Sequence, residues 1–186
     1  MDLSIPTVTK LVGELLEEGY ILDFGKQETS GGRKPNIYGL NPESGYFIGV
    51  DVRKDSVNIA IVDFKGKFVS IDEDVPYNLE NTPAAFDKLC CLIEDFIATL
   101  KVPREKILSV GVNITGRVNP ISGYSYSFFY FEEKPLSLIF EERLKIKVYI
   151  ENDTRAMAYG EYMKGVVKGE KNIIFVNISW GLGVGI

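Results

Sequence analysis

The chain has 186 residues, 45% hydrophobic and 25% charged, and its 21 Lys and Arg against 26 Asp and Glu leave a net charge of −5. This is the composition of one large or two modest globular domains; no run nears the roughly 18 apolar residues of a membrane helix, and no signal-peptide pattern opens the chain, so a cytoplasmic protein that does not enter the membrane is expected. With no histidine and only the adjacent Cys90 and Cys91, imidazole and thiolate metal sites and Ser-His or Cys-His nucleophiles are excluded from these residues, and acid/base chemistry falls to carboxylates, lysine or tyrosine.

The first compositional block covers residues 1–40. Ser4 is a good N-cap and Pro6 suits a first helical turn. Val8, Leu11, Val12, Leu15 and Leu16 then repeat at the spacing of one buried helical face, and Gly19 stands where a glycine ends a helix. The other face presents Pro6, Lys10 and Gly13, flanked by Thr7 and Thr9. Next comes a short strand, Tyr20-Ile21-Leu22, a polar loop from Gly25 to Pro35, and a return strand around Ile37-Tyr38-Gly39-Leu40. The loop carries Ser30-Gly31-Gly32-Arg33-Lys34-Pro35, with two adjacent cations at a glycine-loosened tip. Helix, strand, basic loop, strand is the order of the second half of a winged helix-turn-helix. A generic helix and hairpin would have the same order, and the block as a whole is acidic, with Lys10, Lys26, Arg33 and Lys34 against six carboxylates. The distribution favours DNA, because Glu14, Glu17 and Glu18 lie toward the helix C-terminus, whereas helices of this kind read DNA with their N-terminal residues.

After the turn Asn41-Pro42-Glu43-Ser44-Gly45, three β-rich runs, 46–52, 56–64 and 67–75, are joined by short turns into a meander. Thr82 to Leu100 reads as a helix burying Phe86, Leu89, Cys90, Ile93 and Ile97, which makes both cysteines reduced core thiols. A strand over 107–114, a helix over 136–144, a strand over 147–150, a helix over 153–164 and a strand over 172–178 complete a mixed α/β pattern. The aromatic run Ser125 to Phe131 is expected to be a buried or partner-covered strand.

Three segments can carry chemistry. Gly49-Val50-Asp51-Val52-Arg53 puts a carboxylate at the end of an apolar strand. In Val148-Tyr149-Ile150-Glu151-Asn152-Asp153-Thr154-Arg155 a strand delivers Asn-Asp to a helix start; Asp153 there can bind a polyol hydroxyl, act as its general base, or simply cap the helix. Asn177 to Gly185 is a glycine-rich turn of the type that wraps phosphate with backbone N–H groups, with neither dinucleotide-binding nor P-loop spacing.

In this order the residues resemble the ROK family of repressors and sugar kinases, and within it the NagC/XylR-like transcriptional regulators. Ser4 to Ile21 is similar to a recognition helix and its exit, and Gly31-Gly32-Arg33-Lys34-Pro35 to a wing. Gly49-Val50-Asp51-Val52 resembles the first phosphate strand of the actin-like ATPase fold. Gly111-Val112-Asn113-Ile114-Thr115-Gly116-Arg117-Val118 resembles the sugar-side glycine loop, Glu151-Asn152-Asp153 the most specific short motif, and Gly181-Leu182-Gly183-Val184-Gly185 the second phosphate loop.

The resemblance implies an α/β chain with a partial winged helix-turn-helix over 1–40 and, over 46–186, the N-terminal part of a sugar-sensing domain of actin-like, ribonuclease H-like fold, with an incomplete second lobe and both ends cut from something longer. It implies DNA contacts from Ser4, Thr7, Thr9, Lys10, Gly32, Arg33 and Lys34, and a sugar or sugar phosphate at Thr115, Gly116, Asn152 and Asp153. A degenerate nucleotide site would lie at Asp51, Gly181 and Gly183. The kinases of the family follow the strand aspartate with glycines and a threonine, where this chain has Arg53, Lys54 and Asp55, and carry a hydroxyl between the later glycines, where this chain has Leu182. The expected protein is therefore a sugar-responsive regulator, most simply a repressor, on double-stranded operator DNA as a homodimer or tetramer, and not an enzyme. No cofactor is implied for these residues; the family's structural zinc would lie beyond Ile186. The alternative is an ATP-dependent sugar kinase with Asp153 as general base.

Overall fold

The computed structural model describes residues 3–27, 34–179 and 181–186. Helix α1 (Ile5–Glu17) is capped by Ser4, whose side chain accepts from the Thr7 N–H, and ends at Gly19 in the left-handed region. The hairpin β1 (Ile21–Lys26) and β2 (Asn36–Leu40) is antiparallel and follows at once. The buried face expected for α1 does not exist among the described residues: Val8, Leu11 and Leu15 are exposed, and no residue of the helix is buried. Only β1 packs closely on it, and one narrow hairpin cannot cover a 13-residue helix face.

The main sheet begins with β3 (Tyr46–Val52), β4 (Ser56–Asp63) and β5 (Phe68–Pro76), the expected antiparallel meander. The β4–β5 turn is closed by Asp63, whose Oδ1 accepts from the N–H groups of Lys65 and Lys67 at 2.9 Å each. Helix α2 (Pro83–Thr99) crosses to β6 (Ile107–Ile114), and α3 (Leu136–Leu144) crosses to β9 (Val148–Asn152). Between them lies a small hairpin, β7 (Val118–Asn119) with β8 (Tyr124–Ser125). The strand order is β5-β4-β3-β6-β9, with β3, β6 and β9 parallel. Helix α4 (Asp153–Lys164) and the antiparallel hairpin β10 (Phe175–Ile178) and β11 (Leu182–Gly185) end the chain.

Strict alternation along β3 sends Ile48, Val50 and Val52 to the α2 face, where they meet Leu89, Cys90 and Ile93 with almost no exposure. At roughly 1.5–3 kcal/mol for each fully buried aliphatic side chain, this layer dominates the stability of the domain. The opposite face carries Gly49 and Asp51, level with Gly111 and Asn113 of β6, and α4 packs against β6 and β9.

Two expectations fail locally. Cys90 is buried but its neighbour Cys91 is exposed, because consecutive helical residues point about 100° apart and only one can face the sheet. Burial pushes the Cys90 thiol up to about 12. In the native protein at pH 8, a thiol-disulfide reagent should therefore titrate Cys91 rapidly and Cys90 only after denaturation; two fast thiols would contradict the packing. The run 125–131 is not a strand either. It leaves β8 at Ser125 and winds so that Phe129 is buried while Tyr130 is exposed, with Phe129 itself at φ 55°.

Candidate functional site

A cleft of about 780 Å³ opens at the carboxyl ends of β3, β6 and β9, the place where open α/β sheets bind ligands. Every candidate residue of the sugar and nucleotide sites lines it: Asp51 from β3, Thr115 and Gly116 after β6, Asn152 and Asp153 where β9 becomes α4, and Gly181 and Gly183 from the last hairpin. The parallel strands β3, β6 and β9 bring Asp51, Thr115, Gly116, Asn152 and Asp153 together from positions up to 102 apart in the sequence, and the β10–β11 hairpin, packed on α4, adds Gly181 and Gly183.

Asn152, not Asp153, caps α4. Its Oδ1 accepts from the Arg155 N–H at 3.1 Å, and its Nδ2 donates to the Gly116 carbonyl at 3.0 Å and to Asp153 Oδ1 at 2.9 Å. Asp153 is thereby released from capping. Its Oδ1 accepts from the Thr154 N–H at 2.7 Å, and its Oδ2 has no hydrogen-bond partner among the described residues. The spare carboxylate oxygen is an acceptor ready for a hydroxyl.

Two residues outside the expected set hold this arrangement. Glu151 Oε1 accepts from the Asn152 N–H at 2.6 Å and from Arg155 Nε at 2.7 Å, while Arg155 donates to the Val118 carbonyl at 2.8 Å. The first turn of α4 thus grips the 116–118 loop at two carbonyls, Gly116 through Asn152 and Val118 through Arg155. The i to i+4 spacing of Glu151 and Arg155 was the available sequence signal. Gly116 has φ 95°, and a Cβ on it would lie 2.4 Å from the Ser127 Cβ. Ser127 Oγ in turn accepts from the Arg117 N–H at 2.9 Å.

At the other end of the cleft the two candidate glycines take different places. Gly183 and Gly185 belong to β11, a paired strand, and the turn is confined to the residues around Ser179 and Gly181. A Cβ on Gly183 would stand 2.1 Å from Thr154 Oγ1, so this glycine permits β11 to pack on α4. Across from it, Arg53 Nε donates to Asp51 Oδ2 at 3.0 Å and its Nη1 to Asp74 Oδ1 at 3.3 Å, with Asn58 Nδ2 at 3.5 Å from the same Asp51 oxygen. The strand carboxylate is occupied by a neighbouring cation of the same chain.

Among the candidates for DNA contact, Ser4 and Thr7 hydrogen-bond each other at 2.8 Å, and the Thr9 hydroxyl donates to the Ile5 carbonyl at 3.0 Å. Lys10 forms an exposed pair with Glu14 at 3.7 Å. Lys34 is exposed and shares a hollow with Lys26 and Tyr38 beside the Lys26–Asn36 pair of the β1–β2 hairpin, at the end away from α1. Gly32 and Arg33 lie outside the described residues.

Residues 47–186 match the family model described as "ROK family". Over 185 residues the chain is 29% identical to the xylose repressor of Bacillus subtilis (strain 168), covering 99% of this chain and 48% of that protein. It is 25% identical over 187 residues to the DNA-binding transcriptional dual regulator NagC of Escherichia coli (strain K12), covering 100% of this chain and 46% of that protein. The chain thus spans about half the length of the curated relatives it matches. Among solved structures, a ROK family transcriptional regulator described as a homologue of the E. coli MLC protein superposes with a TM-score of 0.74 at 20% identity, over 99% of this chain and 47% of that one. A ROK family glucokinase from Streptomyces griseus, solved with glucose and AMPPNP, superposes with a TM-score of 0.60 at 26% identity, over 76% of this chain and 44% of that one. The family match covers the sheet, the cleft and the Asn152-Asp153 helix start together, and on that ground this chain belongs to the ROK family.

Proposed function

We propose that this chain is the DNA-proximal half of a sugar-responsive transcriptional repressor, with residues 1–40 as part of a winged helix-turn-helix and 46–186 as the first lobe of the sensor. The observation that carries the reading is the contrast between two of the cleft's carboxylates, Asp153 and Asp51. Asp153 keeps an oxygen without a hydrogen-bond partner among the described residues and suited to a sugar hydroxyl, while Asp51, at the phosphate end, is bound to Arg53. Sugar recognition is retained and nucleotide recognition is blocked. The repressor names carried by relatives matched along almost all of this chain point the same way.

In this reading Asn152, Asp153, Thr115 and Gly116 hold the sugar, and the effector can be neutral or phosphorylated. Arg155 and Asn152 transmit its presence to the 116–118 loop, because both are bonded to that loop's carbonyls. Domain orientation, and with it DNA affinity, then shifts by as much as the sugar's affinity differs between the two states. Lys10, with Thr7, Thr9 and Ser4, approaches the major groove, and Gly32, Arg33 and Lys34 the adjacent backbone or minor groove, in a two-fold complex of a homodimer or tetramer.

The test uses the full-length protein on its own promoter DNA. D-xylose, N-acetyl-D-glucosamine or D-glucose should release the DNA at millimolar concentration, and Arg33→Ala/Lys34→Ala should weaken binding and lower the salt slope by about 2, one for each lost phosphate contact. An unchanged slope removes the wing assignment, and retention of DNA with all three sugars removes the sensor. The glucokinase likeness supports a second reading, ATP-dependent sugar phosphorylation with Asp153 as general base. Phosphorylation that is lost in Asp153→Asn would decide for it.

A further inference from the structure

The cleft has an apolar side as well as a polar one, and the aromatic segment expected to be a strand contributes one ring to it. Phe128 lines the cleft together with Leu79 and Met157, within the same cavity as Asn152 and Asp153. Phe128 is half-buried and packs in part against the core, whereas Phe129 beside it is 1% exposed. What separates the two is the backbone of Phe129, held at φ 55°. A bulky aromatic residue in the left-handed region is a costly conformation that persists only where the surroundings impose it, and such residues gather at ligand sites.

The imposing contacts are all present. The Phe129 N–H donates to Asn81 Oδ1 at 2.6 Å, and its ring meets Phe86 edge-on at a centroid distance of 5.5 Å. On the N-terminal side, the Phe128 N–H donates to Ser125 Oγ at 3.3 Å. An ordinary strand would alternate Phe128 and Phe129 across two faces of a ladder. Here the pair is set by a bend, with one ring in the core and its neighbour on the cleft.

We propose that Phe128 is the stacking platform of the sugar site, and that the ligand class it selects is a pyranose with mostly equatorial hydroxyls. The proposal rests on the sugar-binding reading of this cleft. In such a ring the C–H bonds are axial, so the molecule presents an apolar face for an aromatic ring while its hydroxyls radiate from the edge. Asp153 Oδ2 then takes an edge hydroxyl and Phe128 the face. Hydroxyl recognition alone fixes the edge of the sugar; the aromatic contact adds selection between sugars whose faces are apolar and sugars whose axial hydroxyls spoil them.

The test measures calorimetric affinities of D-xylose, D-glucose and N-acetyl-D-glucosamine for the full-length protein and its Phe128→Leu, Phe128→Met, Phe128→Tyr and Asp153→Ala variants, each checked by near-UV circular dichroism. Phe128→Leu should weaken the bound sugar about fivefold to tenfold, the range of an aromatic contact, and Phe128→Tyr should restore it. Phe128→Met, unbranched and close to phenylalanine in size but not aromatic, should stay weakened like Phe128→Leu, whereas a mere space-filling role would let it recover with Phe128→Tyr. If Phe128→Leu binds as the wild type does while Asp153→Ala does not, the platform is wrong and the sugar site stands. If the wild type binds none of the three sugars, the site reading and the platform fall together. If Phe128→Leu leaves sugar affinity intact and weakens ATP, the ring serves a nucleotide base and the proposal is overturned.

Discussion

Asp153→Ala in the full-length protein should weaken sugar binding by roughly 1.5–3 kcal/mol, the worth of a hydrogen bond to a charged group, or about 10- to 150-fold in Kd. The expectation follows from the division of labour at the start of α4. Asn152 performs the capping, so removing the Asp153 side chain leaves the helix start bonded through Asn152 Oδ1 and the Arg155 N–H. Loss of an acidic group from the first turn costs the fold only about 0.3–1 kcal/mol, so weakened binding in a folded protein is a direct effect. Asp153→Asn keeps the shape and one acceptor oxygen while losing the charge, and should fall between the two. Calorimetry on wild type and both variants reads all three. Equal affinities would place the sugar elsewhere.

Phe86→Ala should cost about 3–5 kcal/mol of stability, which for a protein of this size lowers Tm by about 6–20 °C. Phe86 is 5% exposed and stands at the centre of an aromatic cluster, 4.7 Å from Phe140, 5.5 Å from Phe129 and 6.0 Å from Phe131 between ring centroids. Its removal therefore opens a cavity at the junction of α2, α3 and the 125–131 segment. Because Phe129 is held in its left-handed conformation partly by this ring, the same variant should also weaken sugar binding at temperatures where it remains folded. Phe86→Leu fills most of the volume and should recover much of the stability. Thermal melts followed by circular dichroism check the first effect and calorimetry the second; a Tm drop under about 2 °C would mean that the cluster is not tightly packed.

The elements that the sequence specified were those whose periodicity and termination agreed. Leu136–Leu144 and Asp153–Lys164 form helices with the bounds read from the chain, and Ile107–Ile114 the strand. The meander was legible because alternation, which selects one face, coincided with short polar turns at Arg53-Lys54-Asp55 and Lys65-Gly66. Where periodicity lacked a partner, it misled. The apolar stripe of α1 has helical spacing, yet spacing says only that residues share a face, and in this structure the face is not covered. The stretch 125–131 has strong β propensity, but a strand requires a neighbouring strand, and the buried surface available to Phe129 was that of Phe86 and α2.

The cleft divides in the same manner. Asp51, Asn152 and Asp153 were recognisable because each ends or follows an apolar strand, where parallel topology gathers residues at one edge, and Thr115 and Gly116 through the family resemblance of their loop. Sequence alone determined that this is a mixed α/β chain without histidine, carrying an Asn-Asp helix start and the charged turn Arg53-Lys54-Asp55 after the strand aspartate. Only the tertiary structure decided that Asn152 rather than Asp153 caps α4, that Arg53 binds Asp51, that Gly183 serves packing against Thr154, and that Phe128 lines the cleft while Phe129 enters the core. The physical reason is one of range. Periodicity can be read within a few residues of the chain, whereas the choice between neighbouring side chains for a cap and the partner of a carboxylate depend on how those neighbours are placed in three dimensions, and the space beside Gly183 and the face taken by a ring depend on contacts between residues tens of positions apart.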